Sequence, residues 1–371
     1  MLTVHPSIML GSYLWDEDRL PADEFEIRME PLHATMRDRD LSAMLVYGDA
    51  REHQALAYFS NFIPRMRWAM ALFPTNGAPR LLASMSSRDI PAMRTMTWLP
   101  DVKSGWEWKW FDEFAEGLGP RGAIGTVDFD LMTPLLYAQV EKTIAGRFSL
   151  VSCDEIVARA RSLQRPREIA IIRSATDVVS VAASEIAARW RAGDDIERAA
   201  LAGERVARSL AAQDVRTLVS RDGGCTLEPY AARFEDRPAR LLVYVAVKHL
   251  GYWSESFVSL GALPDERQRA AKGLDTLIDG LAAEASSAEL ARRVAEIAGP
   301  QHSAFVNSFG HRIGLSLQEG GDISPQSQEP LIAGRAYALR VGGQNGAIAS
   351  AMVVLKTDGR REILLRSDPE Q

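Results

Sequence analysis

The C-terminal half of the chain is organised around one histidine between two glycines, in the stretch Gly310-His311-Arg312-Ile313-Gly314-Leu315. Helical spacing of apolar residues marks 194–213 and 264–297, and Pro166 suits the first turn of an earlier helix. Strand patterns surround the histidine at residues 241–247, 252–260, 335–341 and 351–357. Helices packed on an antiparallel sheet, an α+β arrangement, fit this order.

The N-terminal half predicts a separate domain with alternating helices and strands. A helical pattern at 24–40 leads into a buried-strand pattern at 43–47. The Asn76-Gly77 pair predicts a tight turn between two further strands. A chain of 371 residues exceeds one comfortable core. We therefore predict a smaller α/β domain over residues 1–160 and an α+β domain over residues 161–371.

Bulk properties exclude several classes of function. A net charge of -6 without a basic stripe predicts no nucleic-acid partner. The absence of any charge-free run of about 18 apolar residues predicts no membrane association. Two cysteines, Cys153 and Cys225, cannot form a disulfide framework, which favours the reducing cytoplasm. A small molecule is the expected partner.

Short signatures in a fixed order carry a resemblance to a known family. They are Arg165-Pro166-Arg167-Glu168-Ile169, Ile172-Arg173-Ser174-Ala175, Gly251-Tyr252, the histidine stretch at 310–315, and residues 346–359. Together they resemble the pita-bread (M24-like) family, which includes methionine aminopeptidase, aminopeptidase P, prolidase and creatinase. The first domain resembles the creatinase-type N-terminal domain. The resemblance implies a pita-bread C-terminal domain and a homodimer.

The resemblance also implies where a metal site would be. Metal-dependent relatives hold two divalent ions with two aspartates, one histidine and two glutamates. Aligned on Gly251-Tyr252, these positions fall on Tyr244, Glu255, His311, Val341 and Ser350. Tyrosine, valine and serine at three of the five positions cannot replace bridging carboxylates. We therefore expect no metal and no other cofactor.

The remaining polar side chains form a candidate catalytic set. If 241–247 and 252–260 form a hairpin turning at residues 249–251, Tyr244 and Glu255 lie directly opposite each other and share a pocket with His311. His249, at the turn, is expected to face solvent. Such a set is suited to acid–base or nucleophilic chemistry, or is simply a satisfied polar network.

Metal-independent members such as creatinase and ectoine hydrolase suggest the reaction. We predict hydrolysis of a C–N bond, of amide, amidine or guanidino type, in a small polar metabolite. The catalytic candidates are Glu255, His311, Tyr244 and Glu319. The substrate-binding candidates are Arg312, Arg340, Arg65, Arg67 and Phe62.

Three alternatives stay open. The same acid–base residues suit a lyase or a cyclase, and the loss of metal ligands also suits a non-catalytic binding module. A metal-dependent Xaa-Pro peptidase is the third. The creatinase mechanism does not transfer directly, because residues 223–230 contain no histidine where creatinase places its catalytic one.

Overall fold

The computed structural model describes residues 13–220, 226–230, 238–299, 308–342 and 347–370. The chain divides into two compact units, Met1–Ser162 and Leu163–Gln371. No helix in these described ranges is long and apolar enough to cross a bilayer.

The first unit is built on one six-stranded sheet with the order β4-β3-β2-β1-β5-β6. The strands are β1 Leu41–Asp49, β2 Trp68–Pro74, β3 Arg80–Ala83, β4 Asp101–Ser104, β5 Gly122–Val127 and β6 Phe148–Ser152. β1, β2 and β3 pair antiparallel, whereas the β3–β4, β1–β5 and β5–β6 pairs are parallel. The predicted hairpin around Asn76-Gly77 is confirmed as β2–β3.

Within residues 13–162, six α-helices accompany this sheet. They are α1 Ala22–Asp38, α2 Gln54–Ser60, α3 Ile90–Met93, α4 Lys109–Gly117, α5 Pro134–Ile144 and α6 Glu155–Ala160. Thr133 caps α5 because its side chain accepts a hydrogen bond from the Leu136 backbone N–H. Phe111 and Phe114 of α4 pack with Val140 of α5 against the strand residues Leu45 and Leu72. The first unit is therefore the predicted α/β layer structure.

The described residues of the second unit form two antiparallel four-stranded sheets, ordered β10-β9-β7-β8 and β11-β12-β13-β14. The strands of the first sheet are β7 Asp214–Ser220, β8 Glu228–Pro229, β9 Leu241–His249 and β10 Tyr252–Leu260. Those of the second are β11 Gly310–Arg312, β12 Arg335–Gly342, β13 Ile348–Leu355 and β14 Arg361–Ser367. The mixture of these sheets with long helices confirms the predicted α+β class.

Four helices cover the outer faces of the two sheets: α7 Pro166–Arg191, α8 Ile196–Ser209, α9 Pro264–Gly280 and α10 Ser287–Ala298. α7 begins at the predicted proline, and Glu168 accepts a hydrogen bond of 3.0 Å from the Arg165 backbone N–H. Val243 and Val245 of β9 pack against α7 and α8. Residues of β12 and β13 pack in the same way against α9 and α10.

The inner faces of the two sheets meet each other. Side chains alternate along a strand, so the residues of β9 that do not face the helices point to the second sheet. Leu242 and Phe257 of the first sheet accordingly pack with Ile348 of the second. Polar side chains on these inner faces are therefore held between two sheets, each covered on its other side by helices.

The β9–β10 hairpin departs from the predicted register. His249 pairs with Tyr252, so the loop is only Leu250-Gly251, and both residues have positive φ angles of 47° and 86°. Positive φ at both central residues is the property of a type I′ turn. The prediction that Tyr244 lies directly opposite Glu255 was wrong, because Tyr244 pairs with Phe257 and Glu255 with Ala246.

The short loop also changes the environment of His249. As the last residue of β9 it is 8% exposed, so the prediction of a solvent-facing side chain was wrong. The backbone N–H of Gly251 donates to the Gln213 side chain at 2.7 Å, which fixes the turn against the segment before β7.

Candidate functional site

Four side chains from the inner faces of both sheets form what we call the Glu255 cluster: Tyr244, Glu255, His311 and Arg340. Tyr244 lies on β9, Glu255 on β10, His311 on β11 and Arg340 on β12. Tyr244 and Glu255 are diagonal neighbours on one face of the hairpin, which long side chains can span. The Tyr244 hydroxyl donates to Glu255 Oε2 at 2.8 Å.

Glu255 is a buried carboxylate with a cation beside it. The residue is 6% exposed, and its Oε1 lies 3.4 Å from Arg340 Nη1. Its Oε2 lies 3.7 Å from His311 Nε2. A buried carboxylate without a partner is costly, so the guanidinium is the group that allows Glu255 to be charged here.

Each ring nitrogen of His311 has a hydrogen-bond partner. Nε2 lies 3.0 Å from the Leu317 carbonyl oxygen and Nδ1 lies 3.1 Å from Arg340 Nη1. A carbonyl only accepts and a guanidinium only donates, so the fitting tautomer carries its proton on Nε2. Burial lowers the pKa of His311 below its ordinary value of 6.5, with Arg340 adding to the effect and Glu255 opposing it.

Tyr244 is held as a proton donor. Burial, reinforced by the neighbouring Glu255 carboxylate, raises the pKa of Tyr244 well above its ordinary value of 10.0. Its ring packs against Phe257 with centroids 5.1 Å apart, which fixes the direction of the hydroxyl. The phenol therefore stays protonated at neutral pH and donates to the carboxylate.

On β12 the side chain that faces the Glu255 cluster is that of Arg340. Val341 is fully buried in the core under α9 and α10, on the helix-facing side of β12. Arg340 faces the other sheet and pairs in register with Ser350 of β13. Val341 therefore takes no part in the cluster, and the inward side chain at this place is a guanidinium.

The donor set does not fit a pair of divalent ions. One carboxylate and one imidazole are accompanied by a phenol, a guanidinium and the Ser350 hydroxyl, which accepts a hydrogen bond of 3.2 Å from the Phe257 backbone N–H. A divalent ion at this place would be repelled by the positive charge of Arg340. Across the part of the chain that the structure describes, no three His, Cys, Asp or Glu side chains converge as metal ligands.

Glu319 and Arg312 lie near His311 in sequence but serve the loop that follows it. Glu319 forms an ion pair with Arg335, both side chains being 6% exposed, and accepts a hydrogen bond from the Ser316 backbone N–H at 3.2 Å. Arg312, whose side chain lies on the opposite face of β11 from His311, pairs with Glu329 at 2.7 Å. These contacts hold the loop that brings the Leu317 carbonyl to His311.

The other candidates belong to the first unit or lie outside the described residues. Phe62 is 1% exposed and contributes to the core of the first unit. The guanidinium of Arg67 lies 5.6 Å from the ring centroid of Trp106. Arg65 is partly buried in the same unit. Cys225 lies outside the described residues.

Two contributors to the cluster were missed from the sequence. The Ser308 hydroxyl accepts a hydrogen bond from Arg340 Nη2 at 3.2 Å, and the Leu317 backbone carbonyl accepts from His311. A backbone carbonyl leaves no signature in a sequence. Ser308 carried only a weak signal, its position two residues before Gly310.

Comparison with known proteins places this geometry in a fold family. Residues 28–163 match the model of the creatinase/prolidase N-terminal domain. The X-Pro aminopeptidase of Thermotoga maritima is similar with a TM-score of 0.75 at 19% identity, over 92% of this chain and 99% of that one. The chain has the pita-bread fold, preceded by a creatinase-type N-terminal domain.

Two further solved structures share this fold. The prolidase of Pyrococcus horikoshii has a TM-score of 0.73 at 14% identity, over 92% of this chain and 99% of that one. The Xaa-Pro dipeptidase of Bacillus anthracis has a TM-score of 0.69 at 16% identity, over 94% and 99%. No curated protein sequence matches the chain. At these identities the likeness establishes the fold, and the reaction has to be argued from the Glu255 cluster.

Proposed function

We propose that this pita-bread protein is a metal-independent hydrolase that cleaves a C–N bond in a small polar metabolite. The observation that carries the proposal is the Arg340 guanidinium, which contacts both Glu255 and His311 on the inner faces of the two sheets. It supplies positive charge and directed N–H donors beside a potential base.

The proposed reaction divides its work among the cluster's side chains. Arg340 donates hydrogen bonds to the substrate oxygen or nitrogen on which negative charge develops when the carbon is attacked. Glu255 removes a proton from water, whose oxygen bonds to that carbon. The C–N bond then breaks, and the leaving nitrogen receives a proton from Glu255 or through His311.

Tyr244 and burial prepare the carboxylate for this role. The Tyr244 hydroxyl holds Glu255 Oε2, which leaves Oε1 directed to the side of Arg340. Glu255 and His311 are buried, so little water screens the electrostatic contacts of the cluster and each contact is stronger. A lyase or a cyclase would use the same proton transfers on another substrate.

A non-catalytic binding protein is the second candidate, and one observation favours it. Both nitrogens of His311 and both oxygens of Glu255 already have partners within 3.7 Å. A satisfied network of this kind stabilises a scaffold without performing a reaction. The two candidates differ in whether a bound compound is converted.

A thermal-shift screen followed by product analysis separates them. Guanidino, lactam, ectoine-like and prolyl compounds are the classes to test. Glu255→Gln should reduce kcat/KM for a hit by at least about 100-fold, as removal of a general base does. Glu113→Gln is the matched control, because Glu113 is an exposed partner of Arg80 in the other unit. Equal turnover by Glu255→Gln and wild type would contradict the mechanism.

We further propose that the protein is a cytoplasmic homodimer. The resemblance to creatinase-like proteins supports the dimer, and the two isolated cysteines support a reducing compartment. Light scattering on a size-exclusion column tests the dimer, because a monomeric mass at micromolar concentration would contradict it.

A further inference from the structure

A cavity of about 310 Å³ lies on the opposite side of β10 from the Glu255 cluster. Side chains of α7 form one wall and residues 365–370, at and after the end of β14, form the other. Val258 and Leu260 of β10 lie between them. This volume equals roughly ten water molecules at their share of the liquid, and is close to the lower limit of small-molecule sites.

Serine residues supply several polar positions of the lining: Ser180 and Ser184 on α7, Ser256 on β10 and Ser367 on β14. Ser367 is already oriented, because its hydroxyl donates to the Phe257 carbonyl at 2.6 Å. A hydroxyl is one donor and two acceptors, so the Ser367 oxygen can still accept hydrogen bonds.

Ser256 is the unusual member of this lining. It is 1% exposed, and its Oγ has no hydrogen-bond partner among the residues that the structure describes. A buried hydroxyl left unpaired costs about 1–3 kcal/mol in proteins generally. A polar occupant of the cavity would remove that cost.

The charged groups of the lining already have ion-pair partners. Arg366 forms ion pairs with Asp368 at 2.7 Å and with Asp275 at 2.6 Å. Glu370 forms an ion pair with Arg191. An ionic ligand would have to displace one of these partners, whereas a neutral ligand that both donates and accepts hydrogen bonds would not.

We propose that this cavity binds a small neutral polyhydroxyl compound, with Ser256 as its innermost hydrogen-bonding partner. The site does not depend on the proposed hydrolase activity, because its lining contains no member of the Glu255 cluster. Titration calorimetry and ligand-observed NMR with glycerol, erythritol and myo-inositol test it. Glycerol 3-phosphate and choline serve as the anionic and cationic comparators.

Two variants address the cavity from opposite sides. Ser256→Ala keeps the side-chain volume nearly constant and removes the hydroxyl, and should weaken polyol binding at least tenfold. Ser184→Phe fills the cavity from α7, at a position exposed to solvent, and should have the same effect. Ser149→Ala, at an exposed position of β6 in the other unit, is the control and should bind like wild type.

Saturable binding of at least one polyol by wild type and Ser149→Ala, lost in both cavity variants, supports the proposal. Polyols also stabilise proteins generally by exclusion from their surface. A non-saturable effect shared by Ser256→Ala is that general effect and overturns the proposal. Preferential binding of glycerol 3-phosphate or choline overturns it as well, because the site would then select an ion.

Discussion

Arg340 determines the electrostatics of the Glu255 cluster. The guanidinium contacts the carboxylate and the imidazole at once, with its side chain 12% exposed and that of Glu255 5% exposed. At such exposure a charge pair is costly to break, although the pair itself adds little net stability compared with apolar residues. Removing one partner should therefore be far more damaging than removing both.

Arg340→Met should destabilise the second unit by about 3 kcal/mol, because Glu255 would be left as a buried charge without its cation. The double variant Arg340→Met/Glu255→Gln should recover most of that loss. Chemical denaturation monitored by circular dichroism measures both. Arg360→Met, whose exposed partner is Asp358, should leave stability unchanged. Additive effects of the two cluster substitutions would contradict the coupling.

His311 predicts a pH dependence of stability. Its pKa is lowered in the folded protein, so below the ordinary value of 6.5 the unfolded chain binds a proton that the folded chain does not. Stability from this residue is complete above pH 6.5 and falls as the pH decreases toward the lower folded pKa.

Unfolding free energies at several pH values between 7 and 5 test this sign. His311→Gln should show a shallower loss than wild type across that interval. Histidine NMR should find the ring of His311 neutral at pH 6.5. Identical pH profiles for the two proteins would mean that His311 titrates alike in the folded and unfolded chain.

At the scale of elements, the contact between α7 and α8 depends on a glycine. A Cβ atom added to Gly203 of α8 would lie 2.5 Å from Ile186 Cγ1 and 3.0 Å from the Ala182 carbonyl oxygen of α7. One of the two contacted groups is backbone, so the helices themselves would have to separate. The close approach of the two helices requires the missing side chain.

Gly203→Ala should consequently lower the free energy of unfolding by about 1–3 kcal/mol. Gly117→Ala in α4 is the matched control, because no atom lies within 4 Å of the added Cβ. That control should be neutral or stabilising by up to about 1 kcal/mol, since alanine is the better helix former. Thermal and urea unfolding measure both variants, and equal effects would contradict the packing argument.

The elements differ in how well the sequence predicts them. The helix at Pro166 and the hairpin strands were predicted because proline placement and apolar runs are local signals. β14 was missed because Arg361–Ser367 is partly exposed and charged at its start. The start of β13 was missed because Ile348, Ala349, Ser350 and Ala351 are mostly small residues with weak strand preference.

The resemblance did not determine which residues of β12 face inward or how β9 and β10 pair. Shifting a strand by one residue exchanges its two faces, and β12 is buried on both, so apolar pattern does not discriminate Arg340 from Val341. The single charge between Ala336 and Gly342 was the usable signal. The hairpin register depended on a two-residue loop whose Leu250 adopts a positive φ angle that leucine rarely has.

For the whole molecule, the composition of the Glu255 cluster predicts metal content. Purified protein should contain no stoichiometric manganese or zinc by elemental analysis, and manganese titration should leave its thermal stability unchanged. The reason is that the Arg340 guanidinium would repel a divalent ion. Two equivalents of bound metal per chain would contradict the proposed metal independence.

A redesigned chain provides the converse experiment. Tyr244→Asp, Arg340→Glu and Ser350→Glu together would set five carboxylate or imidazole donors around the same place, with Glu255 and His311 unchanged. Hard divalent ions prefer such donors. The triple variant should gain a manganese-dependent increase in melting temperature that wild type lacks, and Ser350→Glu alone should not.

The location of the cation on β12 also decides when the site becomes complete. A guanidinium joined to the backbone cannot be lost on dialysis or removed by a chelator. It is present in equal amount in every copy of the chain from the moment the two sheets close on each other. Because the guanidinium is part of the chain, there is one per molecule and its N–H donors have set directions. Only a substitution of Arg340 can replace this cation by another.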